Sequence, residues 1–122
     1  MTYDAKNAKQ IKQGLPSDEI FEGVIINIQD GKIKDFFKSA IKEDWENKND
    51  LAIELTIQLK HEDKTFEVKQ PFSYFEDEKG NTVYGSSSNL GKYNKKYDKL
   101  PEVGDKVKII TNEKGFGKIK LD

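Results

Sequence analysis

The sequence has no cysteine, no arginine and only one histidine, His61, among its 122 residues. Without thiols there can be no disulfide, no thiolate metal site and no cysteine nucleophile. One histidine leaves a catalytic zinc little to bind. His61 also falls among charges in a predicted hairpin loop, where an exposed residue is expected rather than a base or a ligand. Long apolar runs are missing too, so no segment reaches the length of a bilayer span and no membrane partner is expected. Residues 1–17 contain lysines but no apolar stretch, which excludes a secretory signal and points to a cytoplasmic protein.

Catalytic patterns are equally scarce. Glu43-Asp44 and Glu76-Asp77-Glu78 are paired acids without the spacing of a calcium loop. Gly85-Ser86-Ser87-Ser88 lacks phosphate-cradling spacing, and Gly115-Phe116-Gly117 lacks the third glycine of a dinucleotide fingerprint. A non-enzymatic protein with no cofactor is therefore expected.

Charge is abundant, at 35% of residues, and nearly balanced at −1 overall. Its distribution is uneven. Residues 18–86 carry 9 lysines against 16 acids, whereas residues 87–120 carry 9 lysines against 4 acids, a net of +5. A basic segment is thus attached to an acidic body. The overall balance argues against a general polyanion binder, and the local excess leaves room for a directed one.

Residues 1–17 show no period and contain Gly14 and Pro16, so they read as a flexible N-terminal arm, with the domain in residues 18–122. Ile20 to Gln29 is a strand. Ile20, Val24, Ile26 and Ile28 share one face, Phe21 and Ile25 the other, with Gly23 as a site for a bulge and Asp30-Gly31 as a closing turn. Ile33 to Trp45 changes to a helical period through Phe36, Phe37, Ala40 and Ile41. Leu51 to Lys60 alternates strictly, with Leu51, Ile53, Leu55, Ile57 and Leu59 inward, as an antiparallel strand with one wet face should. Thr65 to Phe75 returns, with Pro71 demanding an edge or a bulge. Thr82-Val83-Tyr84 makes a short extra return. Ser87, Ser88 or Asn89 can cap a helix whose apolar stripe is Leu90, Tyr93, Tyr97 and Leu100, and Pro101 stops it. Lys106–Thr111 and Phe116–Leu121 are the last two strands, joined at Asn112-Glu113-Lys114-Gly115.

Five strands with a helix before the fourth, an early glycine in Glu22-Gly23-Val24-Ile25, and the turn Pro101-Glu102-Val103-Gly104-Asp105 resemble OB-fold single-stranded nucleic-acid-binding domains of the replication protein A type. The resemblance is topological and covers residues 18–122. It implies a mainly β, five-stranded Greek-key barrel. A capping helix lies between strands 3 and 4 and a helical insertion between strands 1 and 2.

The resemblance also implies a binding surface on the outer face of strands 2 and 3, flanked by two loops. The residues expected to serve it are Lys60, Lys69, Phe72, Tyr74 and Phe75, with Lys92 and Lys96 on the helix and Lys114 and Phe116 at the second loop. Aromatic rings stack on bases and lysines meet phosphates, so single-stranded DNA, ahead of RNA, is the expected partner. Glu54 and Glu67 share that face and oppose this reading. The alternative is a protein-interaction module or non-catalytic subunit, docking through the Ile33–Trp45 helix or the basic segment.

Overall fold

The computed structural model of the chain describes residues 3–6, 15–36, 46 and 50–122. Strands β1 (Ile20–Lys32), β2 (Leu51–His61), β3 (Lys64–Glu76), β4 (Thr82–Val83), β5 (Lys106–Thr111) and β6 (Gly117–Ile119) form one mainly β body with helices α1 (Ile33–Phe36) and α2 (Asn89–Tyr97). There are six strands rather than five, because the short return at Thr82–Val83 pairs with Phe75 and Glu76. Every pairing is antiparallel, in the order β4-β3-β2-β1-β5-β6. The sheet curls into a half-barrel whose hollow holds Ile25, Leu55, Ile57, Leu59, Phe72, Tyr93, Ile109 and Ile119.

Strand β2 follows its alternation in part, since Ala52 and Thr56 on the expected wet face are also buried. Leu55, Ile57 and Leu59 are buried, and Lys60 is exposed. Strand β1 is more complicated. Its ladder with β2 slips between Ile25 and Asn27, which makes Ile26 the extra residue of a bulge. The slip moves Ile28 to the inward face with Phe21 and Ile25, and leaves Ile20, Val24 and Ile26 facing solvent. Ile28 therefore does not share a face with Ile20, Val24 and Ile26, because a strict period of two does not survive a bulge. The extra residue of the bulge also lies three positions past Gly23. That glycine serves a close approach instead: a Cβ there would stand 2.5 Å from Ile57 Cγ2.

Asp30-Gly31 is not a turn either. Both residues remain paired with β2, and Gly31 faces Ala52. The glycine makes room for the ring of Phe36, which comes within 2.9 Å of where its Cβ would be. Helix α1 is capped from inside by Asp35, whose Oδ2 accepts from Lys32 N at 2.9 Å. The rest of the expected Ile33–Trp45 helix, with Phe37 and Trp45, lies outside the described residues. His61 ends β2 rather than sitting in a loop, and its ring meets Phe21 edge-on at 5.3 Å.

Strand β3 passes through Pro71 without losing register, with Glu54 opposite Pro71 and Ile53 opposite Phe72. The unbroken register turns both Phe72 and Tyr74 inward. On the far side β3 lies next to β6. Gly117 lets β6 come close, since a Cβ there would stand 3.1 Å from Val68 Cγ2. The seam is bridged by a side chain, with Ile119 N donating to Gln70 Oε1 at 2.6 Å.

Helix α2 starts at the expected cap. Ser88 Oγ accepts from Gly91 N at 3.2 Å, satisfying one of the orphan amides of the first turn. Asp98 ends it in the left-handed conformation, at φ 60°. Leu90, Gly91 and Tyr93 face the core. Alanine normally stabilises a helix by up to about 1 kcal/mol over glycine. At Gly91 the sign should invert, because a Cβ would come within 2.6 Å of the Ser86 carbonyl, a backbone atom. Gly91→Ala is expected to lower stability by about 1–3 kcal/mol. A urea midpoint equal to or above that of the parent would show that the 85–88 loop yields.

The turn after α2 is tied down by Asp105. Its carboxylate accepts from Lys99 Nζ at 2.7 Å, Glu102 N at 3.0 Å and the Tyr93 hydroxyl at 3.1 Å. Its backbone oxygen accepts from Ile25 N at 2.9 Å, which fastens the turn to β1 at the bulge. At the opposite end Leu15 is buried, and Pro16 O accepts from Thr111 Oγ1 at 2.7 Å. Among the described residues, Leu15 and Pro16 thus pack against the body.

Candidate nucleic-acid interface

The residues expected to bind a strand fall into three groups. The first is the outer face of β2 and β3. Lys60, Lys69 and Phe75 are exposed there, Phe75 at 58%. Lys69 lies across from Thr56, Lys60 from Thr65 and Glu67 from Gln58, so each lysine has a glutamate one or two positions away on the same face. Positive charge does not accumulate on this surface.

The second group is inside. Phe72 is fully buried, with its ring 6.3 Å from that of Tyr93 at 62°. Tyr74 is buried to 9% exposure, and its hydroxyl donates to Asp30 Oδ1 at 3.0 Å. Burial, reinforced by the Asp30 carboxylate, raises the Tyr74 phenol above its ordinary value. Neither ring is open to a base, so the expectation that Phe72 and Tyr74 serve the outer binding surface is corrected.

The third group comes together with residues that the sequence reading did not single out. Helix α2 presents Lys92, Lys95 and Lys96 away from the core, on the side opposite Leu90 and Tyr93. Facing them are Lys118 of β6 and Lys120 just beyond it. The five lysines line one groove of about 750 Å³, whose floor is Gln70, Ile110, Ile119 and Leu121 and whose one carboxylate side chain is Asp122. A hollow of about 370 Å³ continues along β5 and β6, shares Ile110 and Lys118, and ends at Phe116. Phe116 is 70% exposed.

The hairpin that carries Phe116 is closed by the side chain of Asn112. Asn112 Oδ1 accepts from Lys114 N at 2.9 Å and from Phe116 N at 3.0 Å. The opposite wall is held by Tyr97, whose hydroxyl donates to Lys120 O at 3.0 Å and accepts from Lys108 N at 3.2 Å. Lys92, Lys96 and Phe116 are thus brought into one trough, with Lys114 on its hairpin. Lys60, Lys69 and Phe75 belong to a different surface.

Among the described residues the ion pairs are His61–Glu62, Lys99–Glu102 and Lys99–Asp105. No groove lysine is in any of them. Lys96 Nζ donates to the main-chain oxygen of Asp122 at 2.6 Å. Gathering like charges is unfavourable unless an anion joins them, so the groove is electrostatically prepared for a polyanion. The sequence signal for it was the +5 of residues 87–120. It pointed to the segment but not to Lys95, Lys118 and Lys120, because strand β6 and α2 meet only in the fold.

Among the described residues no three or more His, Asp or Glu side chains are placed to hold a metal ion. No helix among them is long and apolar enough to cross a membrane. No protein-family model, curated protein or solved structure matches this chain.

Proposed function

We propose that the chain is an OB-type barrel that binds single-stranded nucleic acid, DNA ahead of RNA, as a binding module rather than an enzyme. The architecture supports this through β1, paired on its two edges by β2 and β5, and through β6, carried round to Gln70 of β3. The observation that carries the functional reading is the groove in which five lysines and a single aspartate side chain come together, in a protein with a net charge of −1. Phosphates lie between α2 and β6, and Phe116 gives the strand a ring to stack on. The groove shifts the centre of the site away from the β2–β3 face toward β5, β6 and α2.

Titration of labelled oligothymidine and a matched duplex at low and moderate salt tests this. Single-strand preference and a salt-dependent affinity are expected. In the triple variant Lys92→Glu, Lys118→Glu, Lys120→Glu, three lost phosphate contacts should reduce the slope of log affinity on log salt by about 2, at about 0.7 each. Phe116→Ala should weaken binding by about 1–3 kcal/mol. Flat titrations with folded, monodisperse protein would end the proposal.

A second reading, as a protein-interaction module, has one observation behind it: the outward stripe of Ile20, Val24 and Ile26 on β1, with Ile20 at 55% exposure. Polar substitutions at Val24 and Ile26 would distinguish it, since Ile20 lies opposite Ile110 of the groove and the other two do not.

A further inference from the structure

The β5–β6 ladder is broken where it reaches the end of the lysine groove. The register pairs Ile109 with Ile119, so Lys108 faces Lys120 one step further on. In a hydrogen-bonded antiparallel pair, the two facing residues exchange both N–H···O bonds. Here one of the two is made, with Lys120 N donating to Lys108 O at 2.8 Å. A side chain replaces the other. Lys108 N donates to the Tyr97 hydroxyl at 3.2 Å, and that hydroxyl donates to Lys120 O at 3.0 Å. A hydroxyl from α2 is thus inserted into the last rung of the ladder. It separates Lys120 O from Lys108 N and fastens it to the helix that carries Lys92, Lys95 and Lys96. The ring itself rests against Tyr93, with centroids 4.6 Å apart.

Resting on the single-strand reading, we propose that Tyr97 is a positioning residue of the groove, which holds Lys120 toward α2 so that its ammonium group serves the same strand as the helix lysines. The hydroxyl need not touch the ligand. Without it, Lys108 N and Lys120 O can close the rung directly, as the register of β5 and β6 allows. Both polar groups then stay paired, so the fold loses little. Lys120 moves toward β5 and away from the helix, and its phosphate contact is the part lost.

The test is a double-mutant cycle with labelled oligothymidine, built on Tyr97→Phe and Lys120→Ala. Phenylalanine keeps the ring against Tyr93 and removes only the hydroxyl. Alanine at 120 keeps the main-chain oxygen and removes the ammonium group. Tyr97→Phe is expected to bind about two- to tenfold more weakly, the size of one hydrogen bond. Its slope of log affinity on log salt should fall by about 0.7, the share of one phosphate contact. In the Lys120→Ala background the same change should have no further effect, because the side chain it acts through is already gone. A tyrosine that only supported the fold would lower the folded fraction in both backgrounds and leave the salt slope alone. Parent affinity and slope in a folded Tyr97→Phe overturn the inference and leave single-strand binding standing. So does an equal loss of affinity in both backgrounds. A Tyr97→Phe that fails to fold also overturns it, since the hydroxyl is then a requirement of the fold. No binding of oligothymidine by the parent protein overturns both readings.

Discussion

Phe72→Ala is expected to destabilise the protein by about 3–5 kcal/mol, the usual cost of deleting a fully enclosed aromatic ring. The ring is 0% exposed and meets Tyr93 edge-on at 6.3 Å. Such a pair adds about 0.5–1.5 kcal/mol beyond the area it buries. Domains of this size are stable by only about 5–15 kcal/mol, so the variant should approach the limit of folding. Phe75→Ala, three residues along the same strand but 58% exposed, should change stability by no more than about 0.5 kcal/mol. Urea unfolding of the two variants side by side checks the contrast. Oligonucleotide affinity adds a second check: corrected for the folded fraction, Phe72→Ala should bind as the parent does. A small loss of stability joined to a large loss of affinity would show that Phe72 meets the ligand and that the inward register of β3 is wrong.

The contrast between Phe72 and Phe75 also shows where the sequence was legible. Leu55, Ile57 and Leu59 could be placed inward from alternation alone, because β2 is flanked on both sides and nothing interrupts its pleat. A cap at Ser87, Ser88 or Asn89 could be read from polar residues just before Leu90, and the fold uses Ser88, whose hydroxyl reaches Gly91 N. Past Pro71 the pattern Phe72-Ser73-Tyr74-Phe75 offers aromatics to both faces, and only the register with β2 decides between them. At Ile26 one inserted residue exchanged the faces of β1, which no local pattern announces. Gly31 reads as part of a turn, yet it is a space left for Phe36, as Gly91 is for the 85–86 backbone.

The site was partly legible for the same reason. A charge excess along residues 87–120 can be read from composition, but a groove needs two walls. Its second wall, Lys118 and Lys120, looks like the wet side of an ordinary edge strand until Gln70 draws β6 against β3. The rings assigned to binding were divided by the fold: Phe72 and Tyr74 went to the core and Phe116 to the surface.

Asp105→Asn should be the most damaging polar substitution, and its effect should depend on pH. The carboxylate is largely buried, which by itself would raise its pKa. The Lys99 ammonium, the Glu102 amide and the Tyr93 hydroxyl more than offset burial and hold it below the ordinary carboxylate value. A carboxyl with a lowered value in the fold contributes stability above its unfolded value, near pH 4, and that contribution is lost as pH falls through the folded value. The exposed half of the Lys99 pair is screened by water and adds little. What remains is a charged acceptor bonded to a buried hydroxyl and a turn amide, and its loss at neutral pH should cost about 1.5–3 kcal/mol. Asparagine keeps one acceptor and turns a donor toward another donor. The penalty is felt at the β1 bulge, because the same turn fastens Ile25 through Asp105 O and Gly104 N. Urea midpoints for parent and variant at pH 7 and pH 3 separate charge from shape. The gap should be wide at pH 7 and narrower at pH 3, below the unfolded carboxylate's value, where the advantage of the ionised parent is falling away. An equal gap at both values would mean that the geometry of the turn, and not its charge, holds the helix to the barrel.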